Sequence, residues 1–143
     1  MKKIIICFIF VLLLSGCVTN EDFNKTCKYN RKTSHIEDST EINVTYDNKD
    51  TVKKAVVQKT YKALDDEGIE ALKDIKEAIN SYNNKYAGTD IEVALSSAEN
   101  EKYSIKYYLN VLNLNEKILK EFEIEKNSIK FFNKMRQKNI ECE

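Results

Sequence analysis

Few residues in this 143-residue chain have the chemistry of a reactive site, and they are widely spread. Cysteine stands at Cys7, Cys17, Cys27 and Cys142, and His35 is the single histidine. A thiolate acts as nucleophile or metal ligand, and an imidazole is its usual base or co-ligand. One histidine is too few for most His-based metal centres. His35 lies beside Ser34, Glu37 and Asp38, so nucleophile, base and acid are all nearby. The surrounding sequence is a polar loop, which offers neither a rigid scaffold nor an oxyanion hole, so His35 reads as an exposed loop residue. Asp65, Asp66 and Glu67 would suit a hard cation, but no spaced loop of the EF-hand kind accompanies them. They read better as the acidic start of a helix. With 23 acidic residues some carboxylate pair is always available for glycoside hydrolysis, and no spacing selects one. The expectation is therefore no catalytic residue, no metal, no cofactor and no enzyme.

The amino terminus carries a different chemistry. Lys2 and Lys3 precede an unbroken apolar run from Ile4 to Leu14. A bilayer span needs about 20 apolar residues, so this run has the length of a signal-peptide core instead. Leu14-Ser15-Gly16-Cys17 follows at the right distance and resembles the bacterial lipobox. That resemblance implies cleavage before Cys17 and a diacylglyceryl thioether on its sulfur. Two acyl chains make a stable anchor where one holds only marginally, at roughly 0.8 kcal/mol per buried CH₂. Residues 1–16 are thus expected to be a lipoprotein signal peptide, residues 17–25 the lipidated cysteine and a short tether, and residues 26–143 one domain. Loss of Lys2 and Lys3 turns the neutral chain mildly acidic, so lipid and not charge holds it to the membrane.

Cys7 leaves with the leader and Cys17 is consumed. The remaining pair, Cys27 and Cys142, suits an exported protein. Either they are bridged, closing a long loop, or they are two buried free thiols. Metal ligation lacks a third and fourth ligand.

The composition removes other partners. Net charge is zero, which provides no electrostatic reason for nucleic acid. There are three Gly and no Pro, which leaves no Gly-rich phosphate loop and no Pro-rich segment. Arg31 and Arg136 are the only arginines among 23 basic residues, so bidentate carboxylate or phosphate recognition by arginine has little material.

Period-two and period-3.6 patterning supplies the elements. Lys25 to Asn30 reads as a first strand and Arg31 to Thr40 as a loop. Ile42, Val44 and Tyr46 alternate with polar residues, Asp47-Asn48-Lys49-Asp50 is turn chemistry, and Thr51 to Lys62 is a partner strand. Its alternation slips at Ala55-Val56-Val57, which suggests a bulge. Ile69, Leu72, Ile75, Ile79, Tyr82 and Tyr86 form one helical face, ended by Gly88. Ile91, Val93 and Leu95 alternate, Ser96 to Glu101 reads as a loop, and Tyr103 to Val111 is the longest alternating run. Asn115 to Glu121 suggests a short helix. Ile129, Phe132 and Met135 or Arg136 mark a last helix over about Glu125 to Lys138, stopped by Asn139, before a short strand at Ile140 and Cys142. Hairpin, helix, hairpin and helix in that order predict an α+β fold. Its antiparallel sheet has about four to six strands, with one long helix and a C-terminal helix packed on one face.

The stretch Glu41 to Leu112 resembles the YehR-like family of small bacterial lipoproteins, which carries a domain of unknown function. Thr40-Glu41-Ile42-Asn43-Val44-Thr45-Tyr46 is similar to its first strong strand, Lys85-Tyr86-Ala87-Gly88 to the end of its main helix, and Phe131 to Cys142 to its closing segment. The resemblance implies an α+β fold in the cell envelope and carries over no site residue.

Among eight tyrosines, Tyr103 and Tyr107 share a strand face with Ile105 and Leu109 and belong to the core. Tyr108 points the other way, between Lys106 and Asn110, where an aromatic ring suits a binding surface. The chain is expected to be a non-enzymatic binding module anchored outside the membrane, serving a small ligand or an envelope protein. The alternative is a structural or accessory subunit of an envelope complex.

Overall fold

The computed structural model describes residues 21–143. Five strands form one antiparallel sheet: β1 (Asp22–Lys32), β2 (Ile36–Asp47), β3 (Val52–Ala63), β4 (Ile91–Ala98) and β5 (Lys102–Asn110). Their spatial order is β1-β2-β3-β5-β4, so the sheet consists of a meander and a second hairpin joined through β3 and β5. Among the described residues three helices join the sheet: α1 (Asp66–Asn83), α2 (Glu116–Glu121) and α3 (Ser128–Gln137). A 3₁₀ turn, Asn84–Tyr86, extends α1. Among the described residues no helix is long and apolar enough to cross a membrane.

The register sorts the side chains by face. Cys27, Ile42, Val57, Tyr107 and Val93 lie in one cross-sheet row, and Lys25, Val44, Ala55, Leu109 and Ile91 in a parallel one. This inner face is covered by helices, and most of its central residues are buried. The opposite face carries Thr26, Asn43, Val56, Tyr108 and Glu92 and is open to solvent. The alternation expected of a one-sided antiparallel sheet is clearest at the centre of β3 and β5, while Leu95 on the inner face of β4 is exposed and Ser104 on the open face of β5 is buried.

Local chemistry places each helix start. The Asp65 carboxylate accepts from Gly68 N at 2.8 Å and caps α1. Asn115 and Asn127 cap α2 and α3 in the same way, each accepting at 3.0 Å from a backbone amide three residues on. Gly68 serves close approach, since a Cβ there would overlap the carbonyl oxygen of His35. Asn139 takes a left-handed conformation (φ 58°) and ends the α3 segment. Phe131 and Met135 of α3 are fully buried against the β1–β2 end of the sheet, where Phe132 also meets the Tyr46 ring edge-on at 5.5 Å. The chain then closes on β1: Thr26 and Glu143 exchange backbone hydrogen bonds of 2.7 and 2.9 Å. Cys27 and Cys142 stand at bonding distance there, with an S–S length of 2.02 Å.

The structure corrects several boundaries. Strand β1 begins at Asp22 and not Lys25, so residues 22–25 of the expected tether belong to the sheet. Phe23 stacks on Tyr46 at 5.7 Å and Asp22 pairs with Lys53 at 2.6 Å, cross-strand contacts invisible to local propensity. The loop expected from Arg31 to Thr40 is instead a tight turn at Thr33-Ser34-His35 between paired strands. Arg31 faces Asp38 and Lys32 faces Glu37 across that polar hairpin, and opposite charges support the pairing. The bulge expected at Ala55-Val56-Val57 falls at Lys53 instead, because Thr45 pairs with Lys54 and Tyr46 with Val52. Val56 simply occupies the open face. Strand β4 runs through Ser96 to Ala98, with an irregularity between Leu95 and Ser97. In the last helix the buried stripe is Ser128, Phe131 and Met135, and Ile129 is exposed. Both stripes have helical spacing, and only the position of the sheet chooses between them.

Candidate functional site

Helix α1 has 18 residues, yet only Gly68 and Leu72 are fully buried. It crosses β3 and β5, while α3 covers the β1–β2 end. Between them the inner face stays unfilled, because the cross-sheet rows there are Tyr29–Thr40–Lys59 and Arg31–Asp38–Tyr61. These polar and small side chains leave two adjoining hollows of about 210 and 290 Å³. Lys59, Tyr61, Glu121 and Phe122 line both. The first opens toward Arg31 and Asp38 on the hairpin, and the second reaches under Ile79 and Tyr82 of α1.

Two of the three carboxylates around the cleft, Glu121 and Glu123, are already engaged. Glu121 Oε2 accepts from Lys85 Nζ at 2.7 Å and from the Tyr82 and Tyr86 hydroxyls at 3.0 Å each. The Lys85 ammonium, helped by the two hydroxyls, holds the Glu121 carboxyl below the usual range. Lys85 also sits 3.5 Å above the Tyr82 ring. Burial pushes Glu123 up, but its pair with Lys138 and the Tyr29 hydroxyl outweigh that, and it too titrates below the usual range. Asp38 faces Arg31 in the strand register. Of the cations lining the cleft, neither Lys59 nor Arg31 has a carboxylate within 4.0 Å among the described residues.

The tyrosines here are neutral hydrogen-bonding groups at ordinary pH. Burial raises the Tyr29 and Tyr61 hydroxyls above their usual value, with the Asp38 carboxylate adding to the effect at Tyr61. Burial pushes Tyr107 to about 12, and its hydroxyl donates to Asn83 Oδ1 at 3.0 Å. Tyr86 is raised further by burial and by its bonds to Tyr82 and Glu121. None of these groups is set up as a nucleophile.

The residues singled out from sequence lie elsewhere. Cys17 is outside the described residues. Cys27 and Cys142 join β1 to the carboxyl terminus at the edge of the sheet, away from α1. Tyr108 is on the open face, 40% exposed, over a shallow depression of about 460 Å³ shared with Lys54, Glu92 and Asn110. His35 is brought to the start of α1: Nδ1 lies 2.8 Å from Asp65 Oδ2 and Nε2 lies 3.2 Å from Glu67 Oε2. The two carboxylates address opposite ring nitrogens and converge on no common point. No group of three or more potential ligands suited to a metal ion occurs among the described residues. Lys59, Tyr61, Tyr29 and Glu121 were not singled out from sequence. One signal was available: Lys59 interrupts the inward alternation Ala55, Val57, Lys59, Tyr61 of β3 with a charge.

The His35 contacts make stability depend on pH. Hydrogen bonding to Asp65 raises the His35 pKa above its ordinary value of 6.5. Its contribution is therefore complete below the unfolded value and lost as pH rises through the folded one. Asp65 is lowered, first by the Gly68 amide and then by His35, so its contribution is lost as pH falls through its folded value. A His35→Gln variant should flatten the stability profile between about pH 5 and 8. Urea midpoints across that interval check this, and an unchanged slope would remove the clamp.

No family model and no curated protein matches the chain. The fold is similar to the NMR structure of a protein from Streptococcus pneumoniae TIGR4, with a TM-score of 0.56 over 91% of this chain and 90% of that one. At 14% identity this establishes likeness of fold and nothing about activity.

Proposed function

We propose that the chain is a lipid-anchored extracytoplasmic module that binds a small ligand in the inner-face cleft. The observation that carries this reading is the cleft itself, an unfilled gap that polar and aromatic side chains line on the inner face of the sheet. Its two hollows, about 210 and 290 Å³, together fall within the range of small-molecule sites. The placement supports it. Arg31 stands nine residues beyond Asp22 on β1, roughly 30 Å farther from the anchored end at about 3.3 Å per residue. A ligand would reach the cleft from the side away from the membrane. Membership of the YehR-like lipoprotein family is part of the same proposal and rests on the lipobox and the order of elements.

Two experiments test it. Native mass spectrometry of protein purified from its own membranes should show a small-molecule adduct that a cleft-filling Thr40→Trp variant lacks. Only apo protein in both samples would end the ligand reading. Separately, Cys17→Ser should abolish membrane retention or block processing of the leader, read by fractionation and intact mass. Normal cleavage with unchanged retention would refute the anchor.

A second reading, an accessory subunit of an envelope complex, draws on another feature. The groove between α1 and the edge strand β4 holds about 720 Å³ over Ile91, Val93 and Ile105, and Leu95 beside it is 60% exposed. A crosslinked envelope protein on β4 would favour this reading.

A further inference from the structure

We infer that the inner-face cleft selects a small monoanion, a carboxylate on a flat or cyclic body, and that Lys59 is the residue that selects it. This rests on the binding reading above and specifies its ligand class.

Lys59 lies in β3, the central strand of five, on the face that the helices cover. Its neighbours in the sheet are Thr40 and Ile105, and Val57 and Tyr61 flank it along the strand. A lysine at such a position is normally paired or absent, because removing an ammonium from water costs free energy that only a partner returns. Two of the cleft's three carboxylates are already held by lysines. Glu121 is held by Lys85 at 2.7 Å and Glu123 by Lys138 at 2.5 Å, while Asp38 faces Arg31 across the hairpin. With their partners counted, the cleft's charges are Arg31, Lys59, Lys85 and Lys138 against Asp38, Glu121 and Glu123, so it carries one positive charge in excess. Its geometry also limits the guest. The hollows meet at Lys59, with the rings of Tyr61 and Phe122 on the shared wall and Tyr82 beyond. A carboxylate placed at the Lys59 ammonium puts its organic body against those rings. The neutral Tyr61 hydroxyl can donate to an anion and does not repel it, whereas Tyr29 already donates to Glu123 at 3.3 Å. A cation would meet Lys59 and Arg31, and Glu121 and Glu123 already carry their partners, which leaves Asp38 as the one cleft carboxylate without a lysine or arginine within 4.0 Å among the described residues.

The test uses three probes of one shape and different charge: benzoate, benzamide and benzylamine. They are titrated into the ¹⁵N-labelled full chain in detergent micelles and followed by amide shifts. Benzoate is expected to saturate in the range of about 1–10 mM, shifting amides around Thr40, Lys59, Tyr61 and Phe122, as suits a fragment of this size. Benzamide should bind about tenfold more weakly, as expected for loss of a charge-assisted contact. Lys59→Met keeps the length of the stem and removes the charge. It should erase the benzoate preference while leaving the melting temperature unchanged or higher, because an unpaired half-buried charge is lost. Equal affinity for benzoate and benzamide, a preference for benzylamine, or a benzoate preference that survives Lys59→Met would overturn the inference. In those cases probe shifts at the same amides leave the cleft standing as a binding site. Absence of cleft shifts with all three probes overturns the anion inference, and the native mass measurement then decides the binding reading on its own.

Discussion

Serine in place of Cys142 is expected to cost more stability than any single surface change, about 4–5 kcal/mol. The cysteines are 115 residues apart in sequence, so the crosslink removes a very long loop from the unfolded ensemble. In a domain of this size the loss corresponds to a fall in melting temperature on the order of 15 °C. The native geometry favours the bond. Cys27 is fully buried on β1, and the flanking Thr26–Glu143 hydrogen bonds hold the last residues in register beside it. Urea midpoints of the oxidised chain, the reduced chain and the Cys142→Ser variant should show the last two together and well below the first. Three coincident midpoints would mean that Phe131 and Met135 already hold the carboxyl terminus without help from the crosslink.

Leu72→Ala is the second large effect, and it is local as well as global. Leu72 is fully buried and is the one bulky side chain of α1 that reaches the core completely. Truncating such a residue costs about 2–5 kcal/mol, depending on how far the site collapses. Helix α1 has little else to resist with. Ile69 and Ile79 are only partly buried, and Tyr82 is half exposed. Its two ends are tied by polar contacts, the Asp65 cap with His35 at one and Lys85 with Glu121 at the other. Hydrogen exchange should therefore accelerate most in Asp66–Asn83, with β2 and β3 retaining protection. Ile79 and Tyr82 form one wall of the cleft, so benzoate shifts at Lys59 should weaken in parallel. Uniform acceleration across the sheet would show that α1 and the sheet open as a single unit.

The elements were legible where one physical pattern acted alone. The run from Tyr103 to Leu109 was legible because Tyr103, Ile105, Tyr107 and Leu109 all face the packed side of β5, although Ser104 on the other face is buried as well. The α1 start was legible because Asp65 supplies the cap, and the α3 end because Asn139 tolerates a left-handed backbone. Reading failed where pairing substituted for propensity. Residues 31–40 lack apolar periodicity, yet Arg31 and Lys32 end β1 and residues 36–40 begin β2, because the backbones pair in register across the turn, Arg31 opposite Asp38 and Lys32 opposite Glu37. Ile129 and Phe132 have the same spacing as Ser128 and Phe131, so periodicity could not say which stripe faces the sheet. The candidate site was the least legible part. Tyr108, the aromatic singled out from the strand pattern, lies on the open face, whereas the cleft is built from Tyr29, Lys59, Tyr61 and Glu121, which no short motif joins.

By itself the sequence determined the α+β class, with one long helix and a C-terminal helix on an antiparallel sheet. Hydrophobic periodicity is a local property, and it decides which side of each element seeks the core. Only the tertiary structure decided which elements meet. The order β1-β2-β3-β5-β4 places Lys59 on the central strand and leaves a gap above it. That gap exists because α1 crosses at β3 and β5 while α3 sits over the β1–β2 end. The distance between two packed helices is a sum of contacts far apart in the chain, and no window of residues contains it.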